Sequence, residues 1–216
     1  MKADYLVHDR LYREARDKGW EGWGGNERMA YGPLWIEQLL AYEAVPKMGE
    51  VLELGCGEGH YARLLAEKGY HVTGVDISAT AIEWAKEKNQ ETGHQIHYLE
   101  LDLTKTGVLS GQTFDFIVDG NCLHCIIGND RQVFLANVHR LLKTTGVFYV
   151  ACKCSQSASN EVVEFEGRPY RYIPNQASLH VELEAAGFDI RQSEYHSTGH
   201  CTVYLTKRLS EQGSTD

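Results

Sequence analysis

The chain has 216 residues, with 21 lysines and arginines against 30 aspartates and glutamates, and a formal net charge of -9 at pH 7. That length suits one compact α/β domain with a full core rather than two. The acidic balance, with no stripe of lysine and arginine, argues against nucleic acid as a partner.

The first 49 residues differ in kind from the rest. MKADYLVHDRLYREARDKGW is charged throughout and lacks an apolar signal core. Since no later segment is apolar enough to span a membrane, a cytoplasmic, membrane-free protein is expected. A helix is predicted over Tyr5 to Lys18, then a loop with glycines at 19, 22, 24, 25 and 32, then a helix from Pro33. Trp20, Trp23, Tyr31 and Trp35 lie in that loop and its exit. An aromatic, glycine-rich loop ahead of an α/β core is a candidate lid, and its rings are candidate acceptor-binding residues. The alternative is that the rings pin the first helix to the core.

From residue 50 onward, short apolar runs alternate with helical patterns: EVLEL (50–54), YHVTGV (70–75), IHYLEL (96–101), FDFIVD (114–119) and GVFYVAC (146–152). Runs apolar on both sides are what strands covered on two faces require. Between them, Ala81, Ile82 and Ala85 form a helical stripe behind a Ser78 cap, and Phe134, Val138, Leu141 and Leu142 form another after Asn129 and Asp130. Repeated strand, helix, strand predicts a doubly wound, mostly parallel sheet. Residues 153–174, with Arg168, Tyr170, Arg171 and Tyr172, read as a second long loop; Arg168 and Tyr172 are further candidate acceptor-binding residues. A helix over Asn175 to Ala186 stops at Gly187, after which FDIRQSEYH and CTVYLTKR are separated by only STGH. So short a link makes them a hairpin, and the seventh strand antiparallel. The expected organisation is one domain over 1–216: a helical lid segment (1–49), a core (50–208) and a disordered tail (209–216).

LELGCGEG, Leu52 to Gly59, is the turn after the first strand, where ligands of doubly wound sheets sit. It lacks the lysine of a phosphate-binding loop, and its glycines are spaced G-x-G-x-G, with Glu58 where a pyrophosphate would approach. Nicotinamide and flavin dinucleotides fit poorly. A ligand carrying an ammonium and a sulfonium in place of phosphates fits better, with Glu53 receiving the ammonium. Asp76, ending the second strand, is placed for ribose hydroxyls and Asp102, ending the third, for adenine.

VLELGCGEGHYARLLAEKGYHVTGVDIS, followed by HYLELDL and FDFIVDGNCLHCI, resembles the ordered motifs of class I S-adenosylmethionine-dependent methyltransferases over roughly residues 48–207. The resemblance implies that Gly55, Cys56 and Gly57, with Gly59, cradle the methionine part of S-adenosyl-L-methionine. Asp76 and Ile77 would take the ribose, Asp102 and Leu103 the adenine, and Asn121 and Cys122 the methyl-bearing edge. The proline-and-aromatic tetrapeptide of relatives that act on planar nitrogens is absent after the fourth strand. The run DKGWEGWGGNERMAYGPLW loosely resembles the openings of small-molecule methyltransferases, such as those acting on thiopurines, which implies a small-molecule acceptor.

The acceptor edge gathers Cys122, His124 and Cys125 after the fourth strand, Cys152 and Cys154 at the fifth, and His196, His200 and Cys201 at the final hairpin. His124 is the candidate general base, because an ordinary imidazole titrates near neutral pH. Three readings of the cluster stand: small apolar fillers and hydrogen-bonded imidazoles; a transition-metal site drawing on Cys122, His124, Cys125, Cys154, His196 and His200; or a soft-metalloid or thiol acceptor site, since the Asn-Cys pair is similar to one in arsenite methyltransferases. Against the last, the chain lacks their long C-terminal extension. A non-catalytic S-adenosylmethionine-binding module is the remaining alternative, and the oligomeric state has no signature.

Overall fold

The computed structural model describes residues 3–209. Apart from Leu209, the predicted tail lies outside the described residues. Seven strands form one sheet in the order β3-β2-β1-β4-β5-β9-β8: β1 (Glu50–Leu54), β2 (His71–Asp76), β3 (Ile96–Glu100), β4 (Phe114–Gly120), β5 (Leu142–Lys153), β8 (Phe188–His196) and β9 (His200–Lys207). All neighbours pair parallel except β9, which runs antiparallel to both β5 and β8, as the short STGH link requires. Because β9 is reversed, Lys153 at the end of β5 pairs with His200 at the start of β9. The hairpin turn thus lies on the same edge as the carboxyl ends of β1 to β5.

Side-chain alternation sends each strand to two cores. Phe148, Val150 and Cys152 of β5 pack with Phe134, Val138, Leu179 and Leu183 beneath α5 (Asp130–Leu141) and α6 (Gln176–Ala185). Val147, Tyr149 and Ala151 pack with Ile36, Leu39, Ala62 and Leu65 beneath α2 (Gly25–Leu40) and α3 (His60–Glu67). Burying both faces is why these strands read as continuous apolar runs. The Ser78 hydroxyl accepts from the Ala81 N–H and caps α4 (Ala79–Thr92), and the Asn175 side chain caps α6 through the Ser178 N–H.

Two predicted elements differ. The helix expected from Pro33 begins at Gly25, because Gly24 and Gly25 at positive φ turn the chain directly into it. Pro33 removes an N–H inside the helix, and the His60 imidazole faces the carbonyl of Met29 that this leaves free. The long loop at 153–174 contains a two-stranded hairpin of β6 (Glu161–Phe165) and β7 (Arg168–Ile173). Its turn residues, Glu166 and Gly167, both have positive φ, the conformation of a tight two-residue hairpin turn. The first helix, α1, spans Val7–Asp17. No described helix is long and apolar enough to cross a membrane.

Candidate functional site

The exits of β1, β2, β3 and β4 enclose a cavity of about 270 Å³. At the first exit Gly55 has φ 65°, and a Cβ there would lie 3.0 Å from the Cβ of Cys122. Only bare backbone fits between the two turns. The Gly57 N–H donates to one oxygen of Asp76 (3.0 Å) and the Ser78 N–H to the other (2.9 Å), tying the glycine turn to the end of β2. Burial pushes the Asp76 carboxyl up to about 6 against those bonds. Beyond β3, Asp102 accepts from the N–H and hydroxyl of Thr104 (2.9 and 2.6 Å) and pairs with Lys105 (3.2 Å). Burial works to raise its carboxyl, but the Thr104 bonds and the Lys105 ammonium outweigh it and hold Asp102 below the usual range. The Asn137 amide of α5 donates to the carbonyls of Leu103 and Lys105 and so fixes that loop. After β4, Asp119 accepts from the N–H groups of Cys122 and Leu123, while Asn121 takes a left-handed φ of 89° at the cavity edge.

Of the sequence-predicted ligand residues, Gly55, Asp76, Ile77, Asp102, Leu103, Asn121 and Cys122 line this one cavity. Glu53 does not line it. Alternation turns its side chain away from Leu52 and Leu54, toward the α2–α3 side and Arg28. It is 2% exposed, its Oε2 has no hydrogen-bond partner, and burial pushes its carboxyl up to about 8. Both carboxylate oxygens of the neighbouring, buried Glu58 also lack partners. Cys56, Gly57 and Gly59 shape the turn from behind. The Cys56 sulfur packs against Gly74, and the Tyr12 and Tyr98 hydroxyls fill the space where a Cβ at Gly57 or Gly59 would stand.

The N-terminal segment covers the cavity through α1 and the residues just before it, with Trp23 the one ring of the aromatic loop that reaches it. Tyr5, in the turn just before α1, and His8 and Tyr12 on it line the cavity from above. The Tyr5 hydroxyl donates to Asp130 (2.8 Å) and accepts from the Ile127 N–H (3.1 Å). Asp9 accepts from the Ser78 hydroxyl (2.8 Å) and the Thr80 N–H (3.0 Å), so a side chain of α1 joins the N-terminal cap of α4. Trp23 packs beside Tyr12 with ring centroids 5.0 Å apart, and Arg28 of α2 reaches the same cavity. The other predicted acceptor-binding residues lie elsewhere. Trp20 and Tyr31 are exposed, Trp35 stacks on Tyr61 at 4.2 Å within the second core, Arg168 pairs with Asp4 at the surface, and Tyr172 lies 4.7 Å beneath the guanidinium of Arg131.

At the acceptor edge, His124 and Cys125 sit in a 3-10 turn (Leu123–Cys125) after β4. They meet Lys153 at the end of β5, His200 at the start of β9, Arg171 on β7 and His8 on α1, all lining the cavity. Nδ1 of His124 accepts from the Lys153 N–H (3.4 Å), which leaves the ring proton on Nε2. Burial, then the cations Arg171 and Lys153, hold the imidazole well below its ordinary range. A group that resists protonation this strongly is a weaker proton acceptor than an ordinary imidazole, which counts against the general-base reading. Burial likewise pushes the Cys122 thiol well up and the Cys125 thiol to about 11. Among the described residues no three His, Cys, Asp or Glu side chains converge as a metal-binding group. Of the six predicted donors, Cys122, His124, Cys125 and His200 line the cavity; Cys154 is buried in the core and His196 bonds Thr202 (2.9 Å).

Sequence reading missed Tyr5, His8, Tyr12, Arg28, Lys153 and Arg171. The i, i+3, i+7 spacing of the first three was visible, but which face of α1 meets the sheet is a tertiary fact.

The family model of a methyltransferase domain matches residues 52–150. An uncharacterised methyltransferase of Schizosaccharomyces pombe is 32% identical over 91 residues, 42% of this chain and 62% of that protein. The putative methyltransferase YqeM of Bacillus subtilis is 30% identical over 128 residues, 56% of this chain and 49% of that protein. These matches span less than two thirds of either relative. Among solved structures, the Burkholderia thailandensis 1,6-didemethyltoxoflavin-N1-methyltransferase, with bound 1,6-didemethyltoxoflavin and S-adenosylhomocysteine, superposes with a TM-score of 0.75 at 19% identity, covering 97% of this chain and 92% of that one.

Proposed function

We propose that this chain carries a class I S-adenosylmethionine-dependent methyltransferase domain and that it methylates a nitrogen, sulfur or oxygen of a small-molecule acceptor. The observation that carries the reading is the ordered set of strand-end groups around one cavity: Gly55, then Asp76, then Asp102 with Leu103, then Asn121 with Cys122. The residues fit a cationic nucleoside. Gly55 provides a cradle that a Cβ would fill, and Glu53 is an orphaned buried carboxylate behind it. In this reading Asp76 holds the ribose, Asp102 and Leu103 the adenine, and Arg28 the carboxylate of the methionine part. Glu53 acts on the ammonium from behind the wall, by its charge or through water.

When bound, S-adenosylmethionine supplies an electrophilic methyl carbon on a sulfonium. The chain's own residues orient and dry the site. Tyr5, His8 and Tyr12 close it from above, and alignment of this kind lowers a barrier by roughly 7–11 kcal/mol. His124, with its proton on Nε2, donates a hydrogen bond to the acceptor rather than taking a proton from it. A cavity of about 270 Å³ under a helical lid, in a chain of net charge -9, favours a small acceptor over a polymer. That the structurally similar toxoflavin enzyme holds a small heterocycle supports the same reading.

Calorimetric titration with S-adenosylmethionine and with NAD tests the ligand, and labelled S-adenosylmethionine mixed with a metabolite extract tests the transfer. Binding of the former alone, and label in a low-mass product, are expected. Binding of NAD alone, or label confined to macromolecules, would sink the reading.

A further inference from the structure

The acceptor end of the cavity is positively charged in a protein that is acidic as a whole. Lys153, on the last residue of β5, and Arg171, on β7, both line it. The ion pairs among the described residues leave out the three cations that line the cavity, Lys153 and Arg171 at this end and Arg28 beside Glu53. The Arg171 Nε is buried without a hydrogen-bond partner. Its Nη2 reaches the Tyr170 hydroxyl at a long 3.4 Å, the guanidinium lies 4.7 Å from the Tyr170 ring centroid, and the neutral Cys125 thiol is its other polar neighbour. A buried polar group left without a partner costs free energy, so a fold that keeps one in a cavity points to a ligand that completes it.

The surroundings carry the same sign. His8, His124 and His200 line the same end, and each is held below its ordinary range by burial together with nearby cations. The Lys153 ammonium is itself disfavoured, first by burial and then by Arg171. The two carboxylates that line the cavity, Asp76 and Asp102, stand at the exits of β2 and β3 and are engaged by Gly57, Ser78, Thr104 and Lys105. Carboxylates therefore stand only at the nucleoside end, where Arg28 has Glu58 nearby, while the acceptor end holds cations with no carboxylate beside them.

We propose that Arg171 and Lys153 form an anion-binding site, and that the methyl acceptor is a small molecule bearing a carboxylate or similar oxyanion. The inference rests on the methyltransferase reading of the cavity and adds the charge of its second ligand. The planar fork of Arg171 pairs with a carboxylate through two parallel bonds, Lys153 adds a point charge, and the Nε2–H of His124 and the ring of His200 complete a wall of donors.

The test uses benzoate and benzamide as probes, titrated calorimetrically into the full chain saturated with S-adenosylhomocysteine. Benzoate should bind roughly tenfold or more tightly than the amide, the margin of a charge-assisted hydrogen bond. Lys153→Met and Arg171→Met should each cut that preference, Arg171→Lys should keep part of it, and Arg168→Met, which removes a surface cation outside the cavity, should leave it unchanged. Equal or undetectable binding of the two probes, or a preference that survives both methionine variants, overturns the proposal. Failure of S-adenosylhomocysteine to bind in the first titration would instead strike at the methyltransferase reading, so the two failures are distinguishable.

Discussion

Glu53 is the residue whose chemistry is set most firmly by its position. With no partner for Oε2 and a carboxyl pushed by burial to about 8, its folded-state value lies above the ordinary value near 4.5. The folded protein therefore favours the protonated form, and the contribution of Glu53 to stability falls as pH rises from about 4.5 to about 8. A cationic ligand nearby reverses the preference and draws the proton off. Calorimetry of S-adenosylmethionine binding at pH 7, in two buffers of different ionisation enthalpy, should show net proton release, and Glu53→Gln should abolish most of it. The unliganded Gln variant should also unfold at a higher temperature than the parent at pH 8, where the parent bears the cost of a buried charge. Equal proton linkage in the two proteins would show that Glu53 does not sense the ligand. At this scale the convergence of the first strand exits on one cavity was legible in the sequence, because strand ends follow from apolar runs and a carboxylate such as Asp76 or Asp102 at a strand end has one edge to face. Lys153 and Arg171 were not, since Lys153 lies just past the apolar run of β5 and Arg171 reaches the cavity only because the β6–β7 hairpin folds back over the same edge.

Among the elements, the 3-10 turn that carries His124 and Cys125 is held at its N–H groups by Asp119 and at its carbonyls by one side chain from α5. Arg131, 3% exposed, donates to the carbonyls of Leu123 (2.6 Å) and Ile126 (3.1 Å). Its other two nitrogens grip the Glu182 carboxylate of α6 at 2.6 Å each, over the Tyr172 ring. Arg131→Met leaves two carbonyls and a carboxylate without their donor and should cost about 3–5 kcal/mol in chemical denaturation. Arg131→Met with Glu182→Met should recover part of that loss, because two apolar side chains remove the stranded charge. No recovery in the double variant would mean that the carbonyl bonds, not the ion pair, hold the turn. The hairpin of β6 and β7 that supplies Tyr172 escaped sequence reading for a physical reason. Its strands are short, without a fully buried residue and interrupted by Pro169, so neither alternation nor burial marks them, and the Glu166-Gly167 turn was the one local signal. The start of α2 was misplaced because Pro33 reads as a first-turn residue, whereas two left-handed glycines upstream had already begun the helix.

Across the whole molecule, α1 and the β6–β7 hairpin meet over the cavity and close it together. His8 stacks on Tyr170 with ring centroids 5.1 Å apart, and Arg10–Glu166 and Arg168–Asp4 pairs join the two elements at the surface. Exposed pairs of this kind are screened by salt and contribute little, so the clasp is held chiefly at its inner contacts: Tyr5 on Asp130 and Ile127, Asp9 on the cap of α4, and Tyr12 against Gly57. If α1 acts as a lid, those contacts break on opening, and the helix opens at a lower free energy than the sheet behind it. Hydrogen exchange should show α1 amides exchanging faster than those of β1 and β4 in the free protein, and slowing by roughly the linkage factor when S-adenosylhomocysteine is added in large excess over its dissociation constant. Asp9→Ala removes a capping acceptor worth about 1 kcal/mol and should speed exchange in α1 by about fivefold while leaving β4 unchanged. Uniform acceleration across α1 and β4 would mean that the helix opens only when the whole protein unfolds, and α1 would then be a fixed wall rather than a lid.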